Sequence, residues 1–320
     1  MKSFTIILLL SAFALGCAHA TFTISVTALS SPSAFSSPIS VPLGSFATDA
    51  PIAVADFNGI TYLAFKQAAG SNIFLQSTQN ILDNSSWSNP IYIPGSLTGF
   101  APALYVFQGA LWMSYADSTG QVYVTSSSSP ANSGTWSPPF SLTGLSNGLL
   151  YFYNAPGFVQ KEENLLCVQG SLKNVGGVLG WVCLDSSNQT AHWISAVYQG
   201  VTTSYNQWFS AQFQGLTYSV FLGTAGSNID YIISDSIGAL LFPNNAQWGT
   251  IQTTSGAAIP VVVWQKLLFV GYRGSTNCYF QQSADGLKWT AYVSLPGGQV
   301  CHTSPALLVQ GDQLYYFSLA

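Results

Sequence analysis

The chain has 320 residues, of which 48% are apolar and only 6% charged, with a net charge of −4. Soluble domains ordinarily carry about 25% charged residues, so Ser, Thr, Asn, Gln and Gly must cover this surface. The apolar content is ample for a core and excludes a disordered chain. One arginine and a negative balance exclude nucleic acid as a partner. A neutral polar surface suits an uncharged partner, sugars above all.

The first predicted element is an address. Lys2 precedes the apolar run Phe4 to Leu15, and Ala18-His19-Ala20 forms an A-x-A cleavage pattern. Residues 1–20 are therefore expected to be a signal peptide, and residues 21–320 a single secreted, extracellular domain. Leu15-Gly16-Cys17 also has the form of a bacterial lipid-attachment site, although Ala14 stands where Leu is usual. No later segment has the ~20 uninterrupted apolar residues of a spanning helix. The best candidate, Ala257 to Tyr272, is broken by Gln265-Lys266, so no membrane partner is expected.

Three markers then recur in a fixed order. A small residue or Pro opens an alternating apolar run: APIAVADF at 50, APALYVF at 101, APGFVQ at 155, FSAQF at 209, AAIPVVVW at 257 and SPALLVQ at 304. A short turn and second strand follow, as in NGITYLAF, QGALWMSY, QGLTYSVF and QGDQLYYF. An aromatic before a Ser/Pro-containing strand closes each unit: Phe35, Trp87, Trp136, Trp193, Trp248 and Trp289, spaced 52, 49, 57, 55 and 41 residues apart. Units of four short strands at this period predict an all-β fold, a β-propeller of antiparallel blades without amphipathic helices. The last repeat stops after two strands, and TISVTALSSPSAFSSPISVPLG at 23 supplies the missing second half. Six blades are expected, the last closed by the N- and C-terminal strands together, which removes two exposed sheet edges.

Near the end, SADGLKW (Ser283 to Trp289) resembles the Asp box of sialidases. Asp285-Gly286 is a hairpin signal between the third and fourth strands of the fifth blade, with Trp289 expected to begin the outer strand. The other blades match only in the aromatic. Asp boxes lie on the face opposite the sialidase catalytic site, so the resemblance implies fold and not activity. APIAVADFNGITYLAFK and APALYVFQGALWMSY are in turn similar to the PALAxFNGxLY-type repeats of secreted sugar-binding propellers of bacteria and fungi. Fungal fucose lectins in that group place an Arg and a Glu in most sites, which this chain cannot do.

Four cysteines remain after the leader, and they allow three pairings. Local pairing, Cys167 with Cys183 and Cys278 with Cys301, keeps each bridge within one repeat and adds roughly 3 kcal/mol per bridge on the chain-entropy model. Zinc has less support, because there is no C-x₂-C spacing and only His192 and His302 remain in the mature chain. No metal or other cofactor is expected. The sequons at Asn84 and Asn188 both precede a blade's fourth strand, on the face opposite the ligand rim, and suit N-glycosylation.

Catalysis finds little material. Sialidases grip substrate with three arginines, and this chain has Arg273 alone. Glycosidases usually need two carboxylates about 5–9.5 Å apart, and the only glutamates, Glu162 and Glu163, are adjacent in a turn. An aspartate pair on one rim could in principle act, for example Asp49 with Asp117. In propellers, the loops from strand four to strand one and from strand two to strand three share a face. Those loops nominate Lys66, Asp117, Arg273, Tyr153, Trp208 and His302, beside Tyr151, Phe152, Tyr198 and Tyr205, as ligand-binding residues. Aromatic faces among sparse polar groups suit glycans. The sequence reading is thus a secreted, non-catalytic, lectin-like propeller. A structural coat or matrix protein is the first alternative, and a sialidase-like hydrolase or lyase the second.

Overall fold

The computed structural model describes residues 22–142, 150–162, 165–173, 178–185, 196–202, 207–222, 228–234, 247–255, 257, 259–296 and 299–320. The leader, Glu163, Asn188, His192 and Tyr205 lie outside these residues. Six antiparallel sheets form a ring, five of them running from an inner to an outer strand in chain order and the sixth from the C-terminal strands out to the N-terminal ones. The inner strands are Ala53–Phe57, Ala103–Phe107, Gly157–Glu162, Phe209–Phe213, Val261–Trp264 and Ala306–Gln310. Each packs against the inner strand before it and the one after it, and the sixth packs against the first. The chain is a six-bladed β-propeller, as its repeats predict.

Blade six joins the two ends of the chain. Gln313–Leu319 pairs with Ile24–Ser31 from Ile24 opposite Leu319 to Leu29 opposite Leu314. Short outer segments at Ala34–Phe35 and Ile39–Val41 complete it from the N-terminal side. Val26 and Phe317 meet in this ladder with no exposed surface. Burying such side chains contributes about 1.5–3 kcal/mol each, so closure is held by packing as well as by the ladder.

The inner hairpins are as local as the sequence implies. Asn58-Gly59, Gln108-Gly109 and Gln214-Gly215 hold both turn residues at positive φ, the twist that matches two-residue hairpins. Gln265-Lys266 adopts the same turn without a glycine. The described residues contain no α-helix; two complete 3₁₀ turns lie at Asn84–Ser86 and Ser133–Thr135.

Those two turns correct the sequence reading, which credited blade five alone with the aspartate turn. In DNSSW, Asp83 Oδ1 accepts from the Ser85 N–H at 2.9 Å and its hydroxyl at 2.7 Å. In NSGTW, Asn132 Oδ1 accepts from the Gly134 N–H at 2.9 Å. In SADGLKW, Asp285 Oδ1 accepts from the N–H groups of Lys288 at 2.7 Å and Leu287 at 2.9 Å. Each acceptor stands four residues before a tryptophan that packs inward, Trp87, Trp136 or Trp289. Trp289 does not begin the outer strand, which starts at Val293. Its ring packs near Tyr231, with centroids 6.1 Å apart. Asn84 is exposed on this underside face.

Both expected disulfides form. Cys167 and Cys183 are direct partners in the second and third strands of blade three. Cys278–Cys301 ties the third strand of blade five to the connection entering blade six. Replacing Cys167 and Cys183 with Ser should lower unfolding free energy by about 3 kcal/mol, measured by denaturant titration.

Hydrogen bonds hold two underside carboxylates below the usual aspartate range. Asp83 is lowered by the Ser85 hydroxyl and backbone, and Asp285 by the Lys288 and Leu287 N–H groups. Such a group's stabilisation is complete above its unfolded pKa of about 4 and is lost as pH falls through its lower folded value. The thermal midpoint should therefore drop on acidification below about pH 4. The Asp83→Asn, Asp285→Asn double variant, which imitates Asn132, should fold with a smaller acid-induced drop. An unchanged drop would show that other groups set it.

Candidate ligand face

All six inner strands enter from the same end of the ring, so the outer-to-inner loops and the second-to-third loops gather there. A central channel of about 530 Å³ runs between the inner strands, walled by Val54, Leu104, Phe158, Ser210, Val262 and Leu307. At its mouth is a cleft of about 250 Å³ lined by Asp49, Phe100, Asn154, Gln207 and Ser304. Thr48, Thr98 and Ser255 shape the rim in one way. Each hydroxyl donates to the carbonyl two residues on, at 3.2, 2.8 and 2.8 Å.

Proline placement repeats at the seams between blades. Gly99, Tyr153 and His302 each stand three residues before Pro102, Pro156 or Pro305. Their N–H groups donate to Ala116, Ser171 and Leu319 of the following blade, each at 2.9 Å. The side chain at this position therefore projects from a seam whose backbone is pinned. Tyr153 and His302 were nominated from sequence, but their equivalence is visible only in these bonds.

The structure brings Arg273 and His302 together. Arg273 ends the second strand of blade five, and its Nη1 donates to the His302 carbonyl at 2.8 Å. The Arg273 Nε is buried without a hydrogen-bond partner among the described residues. The exposed His302 ring stacks on Phe22, with centroids 4.2 Å apart and planes 24° from parallel. Phe22 was not predicted. Only the fold places this N-terminal residue beside a C-terminal histidine.

Lys66 and Asp49 form the only ion pair among the described residues, at 2.9 Å. Asp117 turns back into its own loop, where Oδ1 accepts from the Thr119 N–H (2.8 Å), the Thr119 hydroxyl (2.6 Å) and the Gln121 N–H (3.0 Å). The two aspartates weighed as a pair are thus engaged in separate tasks. Close backbone packing fixes the Asp117 loop: Gly120, at φ +93°, lies against the Phe152 carbonyl, where a Cβ would collide. Lys173, which the sequence reading passed over, reaches from blade three to the Thr119 carbonyl at 3.0 Å.

Two nominated aromatics face inward instead. Trp208 is fully buried, stacked on Phe221 with centroids 3.9 Å apart, and Phe152 is equally buried. Indole and phenyl groups fill the wedge between blades as readily as they would line a site, so residue type alone did not separate the two roles.

No protein-family model matches the chain, and no curated protein sequence matches it. Solved structures share its architecture at low identity. The Aleuria aurantia lectin in complex with Fucα1-6GlcNAc superposes with a TM-score of 0.61 at 13% identity, over 85% of this chain and 89% of that one. An α-L-arabinofuranosidase from Clostridium thermocellum gives 0.52 at 14%, over 76% and 93%. A Hadza microbial sialidase gives 0.57 at 13%, over 84% and 65%. These likenesses establish a shared propeller fold.

Trp208→Ala should cost about 3–5 kcal/mol of stability, read from the denaturant midpoint. A variant as stable as the parent would return Trp208 to the surface and to the ligand face.

Proposed function

We propose that the chain is a secreted, non-catalytic propeller that binds glycans at the seam between blades five and six. One observation carries this reading: the exposed His302 ring lies on Phe22, and the backbone carbonyl of the same residue accepts from the guanidinium of Arg273. A flat ring next to fixed donors matches a pyranose, whose C–H face stacks while its hydroxyls are held at the edge. A lectin with the same architecture binds Fucα1-6GlcNAc. The carboxylates favour binding over hydrolysis. A glycosidase pair must exchange protons across a bond, whereas Asp49 is held by Lys66 and Asp117 by its own turn. Export and two disulfides fit an oxidising compartment.

A second reading, self-association in a coat or matrix, is favoured by the rim of blade five, where Leu287 is 55% and Tyr292 63% exposed. Concentration-dependent sedimentation without sugar would support it.

Purified protein spanning residues 21–320 should be retained on a glycan array, and His302→Ala should weaken the best hit about three- to tenfold with an unchanged melting curve. Absence of retention by any glycan would overturn the reading. Turnover of a bound glycan would overturn its non-catalytic part.

A further inference from the structure

Among the described side chains, charge is divided unequally between the two faces of the ring. The ligand face holds Lys66, Lys173 and Arg273 against Asp49, Asp117 and, near the top of blade four's third strand, Asp230, whose Oδ1 accepts from the Thr250 hydroxyl at 2.8 Å. The underside holds Asp56, Asp83, Asp285 and Asp312 against Lys266 and Lys288. Among these residues the acidic excess belongs to the underside, where Asp83 and Asp285 build turns. A seven-residue strand separates the faces by roughly 20 Å, beyond the ~8 Å screening length of physiological salt. An approaching ligand therefore responds to the rim and not to the whole-chain charge.

On that rim the described carboxylates are occupied, while two cations have no carboxylate partner among the described residues. Asp49 pairs with Lys66, and Asp117 is enclosed by Thr119 and Gln121. Lys173 and Arg273 reach only the backbone carbonyls of Thr119 and His302. Among the described residues no carboxylate lies within ion-pair distance of either. A carbonyl satisfies one donor and leaves the charge uncompensated. Arg273 is further under-satisfied, because its Nε has no hydrogen-bond partner among the described residues.

We infer that the ligand of the blade five–six seam is an anionic sugar, one bearing a carboxylate or sulfate ester. Its oxyanion is held by Arg273 and its ring by His302. The inference rests on the glycan-binding reading and names the class of glycan. A guanidinium presents paired, coplanar donors that match two oxygens of such a group. A neutral sugar seated there would cover the cation without supplying a counter-charge, which is unfavourable. The composition, with its few charges, suggested an uncharged partner. The distribution of those charges points the other way.

Calorimetric titration with three matched oligosaccharides, one neutral, one carboxylated and one sulfated, tests this. At least one acidic member should bind about tenfold more tightly than the neutral one, and the advantage should shrink between roughly 0.05 and 0.5 M NaCl. The two acidic arms identify the oxyanion. Arg273→Gln should reduce the preferred acidic sugar to the neutral level, and Arg273→Lys should keep part of the preference. Lys266→Gln, on the underside, should change nothing, and melting curves report folding for all three variants. Equal affinity for all three sugars, or a preference that survives Arg273→Gln, overturns this inference and leaves glycan binding standing. Failure of all three sugars and of every arrayed glycan removes the glycan-binding reading itself.

Discussion

The pairing of the first strand with the last is the constraint on which the rest of the molecule depends. An open ring of six sheets would leave two blade flanks with apolar side chains in water. The ladder from Ile24–Leu319 to Leu29–Leu314 closes that gap from both chain ends at once. Tyr316 shows how closely blade six then packs on blade five. It is almost wholly buried, its hydroxyl donates to the Tyr279 carbonyl at 3.2 Å, and burial pushes its pKa well above the ordinary phenol range. Closure also brings Phe22 onto His302 and so creates the ledge on which the proposed ligand rests.

With few charges available, most of them have structural work. Asp83 and Asp285 gather N–H groups at underside turns, and Asp117 does the same on the opposite rim. Neutral groups do similar work elsewhere: Asn132 replaces an aspartate, and Thr48, Thr98 and Ser255 repeat one hydroxyl turn. On the ligand face the cations without a carboxylate among the described residues stand out because the background is so neutral. Lys173 and Arg273 sit at seams three blades apart, on opposite sides of the ring.

Much of the fold was legible because its signals are local. A two-residue turn demands positive φ, so NG and QG mark inner hairpins, while the blade count follows from the spacing of the closing aromatics. The same logic was available for the aspartate turns. An Asp or Asn four residues before Trp also occurs in DNSSW and NSGTW, although neither carries the full SADGLKW pattern. The candidate site was less legible. Trp208 and His302 stand in the same class of connection, yet one fills a wedge and the other faces solvent. That difference depends on which neighbouring blade supplies a partner such as Phe221.

The sequence by itself determined the period, the hairpins and the meeting of the two chain ends, and favoured local cysteine pairing among three possibilities, because each rests on residues close in the chain or on a repeating pattern. Tertiary structure alone decided which cation meets which loop, which carboxylates are spent, and how charge divides between the faces. Those outcomes arise at seams, where Arg273 and His302, or Lys173 and Thr119, come from different repeats. No periodicity within one repeat specifies how its edge packs against the next.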